Sequence, residues 1–241
     1  MADPRTLTGT LLAIARDVTD DRALAGLICQ ACVDLLNVDG AALSILTAST
    51  ARHTLFATDP TAERLEELQF SLNEGACIEA ATTGNPVFVA DLRHPTDQAR
   101  WPVFAASVIE QTDVLALSAL PLQWGTTNLG VLDLYRRAPV GLDDAQQRDA
   151  LAAADTAALM MLTLLTDPDT AENRGGLWLD PGVARHAEVH QATGMVMAQL
   201  QLSAPDALAR MRAYAFTRGR LLVDVARDVV ARRLVFTDRT T

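Results

Sequence analysis

Arginines are concentrated near the C-terminus of this 241-residue chain, and they are its side chains best suited to binding anions. A guanidinium group holds phosphate through two parallel hydrogen bonds, so a group of arginines favours a nucleic acid or another polyanion as partner. The group consists of Arg210, Arg212, Arg218, Arg220, Arg227, Arg232 and Arg233. The acidic residues of the same region are Glu188, Asp206, Asp224 and Asp228.

The net charge changes sign along the chain. The whole chain carries −10, from 20 basic and 30 acidic residues. From residue 185 onwards there are 9 arginines and 5 acidic residues, leaving 11 and 25 before it, so −10 divides into +4 and −14. A small basic tail on an acidic body predicts a nucleic-acid-binding module joined to a second domain.

Three other patterns resemble chemical motifs but lack a required feature. His186 and His190 are four residues apart, but no glutamate directly follows the first histidine, as the H-E-x-x-H zinc motif requires. Cys29 and Cys32 form a lone C-x-x-C in an apolar helix, which favours core packing. Cys77 needs no role beyond that of a buried thiol. With no phosphate-binding, dinucleotide or nucleophile motif, the sequence predicts no catalytic residue, no metal and no cofactor.

The sequence also predicts a cytoplasmic protein without a membrane partner. No apolar segment approaches the roughly 20 residues that span a bilayer, and the first residues lack the pattern of a signal peptide. Three cysteines in the chain fit a reducing compartment better than a disulfide scaffold.

Residues 5–166 show the pattern of an α+β domain. Helical periodicity covers residues 6–18 and 21–36. Short apolar segments bounded by Gly, Pro, Asn or Asp then predict strands with helices between them, and the last two strands form a hairpin around residues 123–128. The expected architecture is an antiparallel sheet with flanking helices.

A long alanine-rich helix is predicted over residues 141–166. Its apolar positions recur at intervals of three and four, the spacing of a coiled-coil seam, which gives slight support to a dimer; the alternative is a helix lying on its own sheet. These positions are Leu151, Ala154, Ala158, Met161 and Leu165. The polar segment 167–180 follows and is predicted to be a linker.

Residues 181–236 are predicted to form three helices. Asp180 and Pro181 start the first, Ser203 caps the second, and Gly219 ends it. The third has an apolar stripe made of Leu222, Val225, Ala226, Val229 and Val230. Three short helices make a marginal core, which dimerisation or packing against the preceding helix would help.

These helices carry the pattern of a known family. The residues concerned are Gln191–Met197, Ala207, Leu208, Met211, Tyr214–Phe216 and the stripe of the third helix. Over about residues 183–236 they resemble the ANTAR domain, a three-helix module of transcription antiterminators. The resemblance implies binding to paired short hairpins in nascent messenger RNA.

A second resemblance covers roughly residues 5–165. Its residues are Leu72–Cys77, Pro86–Leu92, Trp101, Pro102 and Leu120–Leu122, and they look like a GAF sensor domain of the kind joined to ANTAR modules. It implies an input by a small ligand or a partner protein. Because the chain has no lysine, it lacks the Asn-Lys-Phe-Asp-Glu signature of cyclic-nucleotide-binding members.

The predicted RNA-binding residues are Gly194, Tyr214, Phe216, Arg218, Arg220, Arg227 and Arg232. Arg218 and Arg220 flank a glycine turn that presents them together. Gly194 costs a helix about 1 kcal/mol relative to alanine, which predicts a close approach there, either by another helix or by the RNA backbone. Tyr214 lies on the apolar stripe, which favours a core role over the alternative, stacking on a flipped-out loop base. Phe216 lies off the stripe and either stacks on RNA or covers an interdomain contact.

Ion pairing within the third helix is the alternative role for the arginines. Arg220 and Asp224, and likewise Asp228 and Arg232, are four residues apart, the spacing of helical salt bridges on a solvated face.

The predicted ligand pocket of the N-terminal domain is apolar and lies between the sheet and its covering helices. Its lining residues are Phe70, Leu72, Phe88, Trp101 and Phe104. The polar candidates Glu74, Asp91 and Arg93 do not converge on a ligand. The sequence therefore predicts either no cavity or a small apolar one, with no haem and no chromophore on Cys77.

The sequence as a whole predicts a homodimeric regulator that acts by RNA-binding antitermination. One alternative is a DNA-binding regulator, because Ala215, Gly219 and Val225 have the spacing of a helix-turn-helix. Against it, the third helix begins Leu221-Leu222-Val223, which offers few hydrogen bonds to base edges. The other alternative is a signalling scaffold that binds no nucleic acid.

Overall fold

The computed structural model describes residues 7–14, 20–46, 52–166 and 181–237. The chain divides into two compact units, residues 1–175 and residues 176–241. The predicted linker, 167–180, lies outside the described residues.

The N-terminal unit is an antiparallel sheet flanked by helices, which confirms the predicted α+β class. Its strands follow the order β2-β1-β5-β4-β3, and every neighbouring pair is antiparallel. A two-residue turn joins the last two strands, so the predicted hairpin is confirmed. The elements are α1 (Leu7–Ile14), α2 (Asp21–Leu36), β1 (Gly40–Leu46), β2 (Arg52–Ala57), α3 (Pro60–Leu72), α4 (Ala76–Thr83), β3 (Val87–Val89), α5 (Pro95–Arg100), α6 (Pro102–Gln111), β4 (Ala116–Trp124), β5 (Thr127–Arg136) and α7 (Asp144–Thr166).

Alternation along the strands divides the core into two layers. On β1, Leu43 and Ile45 face the layer that contains α1, α2 and α7, whereas Ala42 faces the layer that contains α3, α4 and α6. Because side chains alternate with period two, both faces of the sheet are covered and apolar.

The described positions of the 3-4 repeat of α7 face the core of its own unit, and the side chain of Leu165 lies outside the described residues. Ala154, Ala158 and Met161 are 2%, 1% and 0% exposed, and the helix contacts β4 and α1. Leu151 is 36% exposed. The stripe is therefore not a dimer seam, and the alternative interpretation, a helix lying on its sheet, is correct.

One carboxylate fixes the start of α3 against the sheet. Asp59 accepts hydrogen bonds from the backbone N–H groups of Thr61 (2.8 Å) and Ala62 (3.0 Å) and from the Tyr135 hydroxyl (2.9 Å). A Cβ at Gly40 would lie 2.3 Å from Asp59 Oδ2 and 2.4 Å from the Tyr135 ring, so this position requires glycine. Burial, followed by the bond to Asp59, raises the pKa of Tyr135 to about 12.

The C-terminal unit consists of three helices, as predicted: α8 (Pro181–Leu200), α9 (Ala204–Thr217) and α10 (Leu222–Val230). Both later helices contact α8. Ser203 caps α9 by accepting a hydrogen bond from the N–H of Asp206 at 3.3 Å. The core residues include Val189, Ala192, Val196, Ala207, Met211, Ala215, Leu222, Val225, Ala226, Val229 and Phe236. Nowhere in the described ranges is there a helix long and apolar enough to cross a membrane.

Candidate nucleic-acid interface

The turn between α9 and α10 is a Schellman motif. Gly219 has φ +57°, its N–H donates to the carbonyl of Phe216 at 3.0 Å, and the N–H of Arg220 donates to the carbonyl of Ala215 at 2.9 Å. A left-handed residue at this position favours glycine. The turn leaves Arg218 and Arg220 exposed on its two sides, as the sequence predicts.

Arg218 lies over an aromatic ring. Its guanidinium carbon is 5.5 Å from the centroid of Tyr214, whose ring meets that of Phe236 edge to face at 5.4 Å. Phe236 is 1% exposed, and its N–H donates to Gln199 Oε1 at 2.9 Å. Tyr214 thus rests on the core and supports Arg218 from below. Within the described part of the chain, no carboxylate pairs with Arg218.

The Asp228 carboxylate accepts hydrogen bonds from two arginines. Arg220 Nη2 donates to Asp228 Oδ2 at 2.7 Å, and Arg233 Nε donates to Oδ1 at 2.8 Å. These two bonds, that of Arg220 first, lower the pKa of the Asp228 carboxyl. Arg220 also donates to the backbone carbonyl of Asp224 at 3.2 Å.

The predicted pairing of Asp228 with Arg232 is wrong. Helix α10 ends at Val230, and Arg232 adopts φ +57°, so the side chains no longer have helical spacing and Arg233 takes the place beside Asp228. The side-chain pair of Arg220 with Asp224 is likewise replaced by the bond to the carbonyl. Arg232 itself is exposed.

Arg227 is paired inside the unit. Its Nη1 donates to Asp224 Oδ1 at 3.1 Å, and its Nε lies 3.4 Å from Glu188 Oε2 on α8. The side chains of Glu188 and Asp224 are partly exposed, so both pairs are weak.

Gly194 and Phe216 face solvent on different helices. A Cβ built at Gly194 meets no heavy atom within 4 Å, so packing in the described unit does not require glycine, and the interpretation as tight helix packing is wrong. A requirement for glycine would have to come from a molecule outside the unit. Phe216 is 58% exposed, consistent with its position off the apolar stripe.

The sequence does not predict the roles of two residues of the C-terminal unit, Arg233 beside Asp228 and Phe236 in the core. Arg233 was counted with the basic residues but not predicted to bind, and Phe236 was not predicted to be part of the core. Both follow the last helix, where periodicity no longer applies. The only sequence signal for a core residue there is a large aromatic residue soon after the end of α10.

Arg212 is half-buried, and burial lowers the pKa of its guanidinium.

The predicted pocket residues of the N-terminal unit are dispersed. Trp101 and Phe104 are buried in edge-to-face contact, with centroids 6.3 Å apart, and Phe70 is buried near the end of α3. Leu72 packs against the same layer as Phe104, but Phe88 packs against the layer on the opposite face of the sheet. The structure does not bring the five around one cavity.

A small cavity does lie on this face of the sheet. Its volume is about 10 Å³, and its lining includes Glu66, Gln69, Asp133 and Tyr135. Such a volume has room for about one water molecule. The cavity is small and mostly apolar, as predicted, and a few polar side chains reach its wall.

The polar candidates near the predicted pocket have separate structural partners. Glu74 accepts from the N–H groups of Val103 (3.0 Å) and Phe104 (3.1 Å) and so caps α6. Arg93 donates two hydrogen bonds to Asp91, which lower the pKa of that carboxyl to about 2. As predicted, these groups do not converge.

The three cysteines are fully buried. Burial raises the pKa of Cys32 to about 12 and also that of Cys29, so both thiols are protonated and pack as small apolar groups. His190 is exposed, and the side chain of His186 lies outside the described residues.

A protein-family model matches each of the two units. A GAF domain model matches residues 21–161, more than half of the chain, and an ANTAR domain model matches residues 182–230. The chain belongs to the GAF family. Its GAF domain is followed by an ANTAR domain, so the two predicted resemblances are confirmed. A search of curated protein sequences finds no significant match.

Solved structures agree on the fold of the GAF domain. The GAF domain of a phosphoenolpyruvate-protein phosphotransferase from Coxiella burnetii has a TM-score of 0.53 at 13% identity, over 65% of this chain and 91% of that one. The corresponding Acinetobacter domain has a TM-score of 0.52 at 10% identity, over 65% and 91% of the two chains.

The two domains define the kind of protein. GAF domains bind ligands or partner proteins and ANTAR domains bind RNA, so the chain is a regulator with a sensing domain. The ANTAR match contains six of the seven predicted RNA-binding residues and ends before Arg232.

Proposed function

We propose that this regulator binds paired hairpins in nascent RNA through its ANTAR domain and acts by antitermination. A bound hairpin pair would keep the competing terminator stem from forming. The observation that carries the proposal is the ANTAR match over the three helices that present Arg218 and Arg220 at an exposed turn.

The contacts we propose fall into two kinds. Arg218 and Arg232 are exposed and bind phosphate directly, whereas Arg220 and Arg227 must first exchange their internal carboxylates for phosphate. Phe216 stacks on an unpaired loop base, since single-stranded RNA loops are read by stacking on aromatic rings.

The burial of the α10 N-terminus argues against DNA reading. A recognition helix places polar side chains of its first turn on base edges. Here Leu222 is 0% and Val223 is 5% exposed, and the next residue is the anionic Asp224. A helix starting in this way has little with which to read a major groove.

The test compares the full-length chain on a hairpin-pair RNA and on a DNA duplex of matched length, from low to moderate salt. We expect RNA to be preferred and the logarithm of affinity to fall linearly with the logarithm of salt concentration. Arg218→Gln should weaken binding and reduce that slope by about 1. The control is Arg148→Gln, at an exposed arginine of α7.

Selective binding to the DNA duplex would instead establish the DNA-binding function. If the chain bound neither nucleic acid, the remaining interpretation would be a signalling scaffold. An equal effect of the two arginine substitutions would remove Arg218 from the interface.

We also propose a homodimer, because the family's target contains two hairpins and oligomers of this kind are usually twofold. Its contact surface must differ from the buried stripe of α7; Leu159, 46% exposed, lies on the outward side of that helix. Sedimentation of the full chain at micromolar concentration should give about twice the monomer mass of 25.9 kDa. A monomer with and without RNA would contradict this.

The regulatory input enters, in this proposal, through a small molecule or a protein that binds the GAF domain. The domain boundaries proposed with it are residues 5–166 for the sensor, 167–180 for the linker and 181–236 for the RNA-binding domain.

A further inference from the structure

Three metal-ligand side chains converge inside the GAF domain. Glu66 on α3, Cys77 on α4 and Asp133 on β5 each offer one ligand atom, and these atoms lie within 4.8 Å of one another. Glu66 is 4% and Cys77 is 0% exposed, and Asp133 is half-buried. Sequence patterns do not reveal the group, because its members come from three separate elements.

The spacing suits a bound ion. Tetrahedral coordination with metal–oxygen and metal–sulfur bonds of about 2.0–2.3 Å places ligand atoms roughly 3.5 Å apart. The three atoms lie within 4.8 Å of one another, so each pair needs to approach by at most roughly 1.3 Å to share one ion. The cavity of about 10 Å³ lined by Glu66 and Asp133 supplies room for a further small ligand such as water.

Neutral side chains hold two of the ligands in position. Thr54 Oγ1 donates to Glu66 Oε2 at 2.9 Å, and Gln69 Nε2 donates to Glu66 Oε1 at 3.4 Å. The other end of the Gln69 amide accepts the N–H of Cys77 at 2.8 Å, so this single side chain links two of the three ligands. Outer hydrogen bonds of this kind orient the ligands in metal sites.

The backbone beside Cys77 is shaped for this link. Gly75 has φ +120°, and a Cβ there would lie 2.8 Å from Gln69 Oε1. Any other residue would push the amide away from Cys77.

We propose that Glu66, Cys77 and Asp133 form a binding site for one divalent transition-metal ion, inside the GAF domain and independent of RNA binding. One thiolate with two carboxylates is a donor set that Zn²⁺ and its neighbours in the first transition series accept, whereas Mg²⁺ and Ca²⁺ prefer oxygen alone. A buried group of anionic ligands is also stabilised by a cation.

The test uses the full-length chain after treatment with a chelator. Calorimetric titration with Zn²⁺ should show one ion bound per chain, and Co²⁺ should bind at the same ratio with a thiolate-to-metal charge-transfer absorption. Cys77→Ser should abolish that absorption. Glu66→Gln and Asp133→Asn keep the side-chain shapes and should each weaken Zn²⁺ binding at least ten-fold.

The matched control is Glu67→Gln, which removes a charge from the same helix without touching the group. It should leave both metals bound as in the parent chain, and circular dichroism of every variant establishes that it is folded. The proposal is overturned if the folded parent chain binds neither metal, or if Co²⁺ absorption and Zn²⁺ affinity survive substitution of the three ligands.

Discussion

In the GAF domain carboxylates turn towards helix ends and into the core, whereas in the ANTAR domain arginines lie along the surface. Glu74 caps α6, and Glu66, on α3, is 4% exposed. By contrast, Arg218 and Phe216 face solvent. The comparison indicates that Glu66 and Cys77, two of the proposed metal ligands, are enclosed in the sensing domain, while proposed RNA-binding residues lie at the surface of the other domain.

The largest expected effect is the loss of stability on removing a core aromatic side chain, which tests whether the interior of the GAF domain is tightly packed. Phe104 is 0% exposed and contacts Trp101. Phe104→Ala should lower the free energy of unfolding of the GAF domain by about 3–5 kcal/mol. Denaturant titration measures the loss, and Phe104→Leu serves as the conservative control. A loss well under 1 kcal/mol would mean that this interior is loosely packed.

The second prediction concerns the displayed aromatic residue of the ANTAR domain. If Phe216 stacks on a base, Phe216→Ala should weaken RNA binding by about 1–3 kcal/mol. Because the ring is 58% exposed, the stability of the domain should barely change. Trp124→Ala, at a ring 53% exposed on the GAF domain, is the control. Equal RNA affinities of the two variants would contradict a stacking role.

A third prediction separates stability from function at a single position. Gly194→Ala places a methyl group in open space at an exposed position of α8, so the ANTAR domain should gain up to about 1 kcal/mol of stability. If the RNA backbone approaches this glycine closely, the same variant should bind RNA more weakly. Thermal unfolding and an RNA titration measure the two effects. Unchanged RNA affinity would show that nothing approaches the position.

The smallest effect is a pH dependence at Asp228. The pKa of this carboxyl is lowered in the folded state, so its contribution to stability is present above the unfolded pKa of about 3.9 and is lost as pH falls through the folded value. The difference in free energy of unfolding between the parent and Asp228→Asn should therefore shrink below about pH 4. Glu110→Gln, at an exposed carboxylate, is the control. A difference that persists into acid would mean that the two arginines do not act on Asp228.

The order of elements was predictable because periodicity and turn residues are local. Two strands around residues 123–128 and three helices after Pro181 appear where the pattern places them. The direction in which a stripe faces is not local. The α7 repeat has the spacing of a seam between two chains, yet it packs on its own sheet because the sheet's apolar face must also be covered.

The contacts of individual side chains were less predictable. Spacing of four residues paired Asp228 with Arg232, but the helix ends at Val230 and Arg233 takes the position instead. Likewise, Glu66, Cys77 and Asp133 meet only because α3 and α4 lie over β5 on one face of the sheet. Such groupings depend on the tertiary fold.

The carboxylate of Asp228, shared by Arg220 and Arg233, affects the salt dependence of RNA binding. An arginine that leaves Asp228 for a phosphate exchanges one anion for another, and the vacated carboxylate attracts a cation from solution. That uptake offsets part of the ion release that makes binding salt-dependent. The slope of log affinity against log salt concentration should therefore be shallower than the number of arginine–phosphate contacts predicts. The number of contacts inferred from a salt titration alone would then be too low.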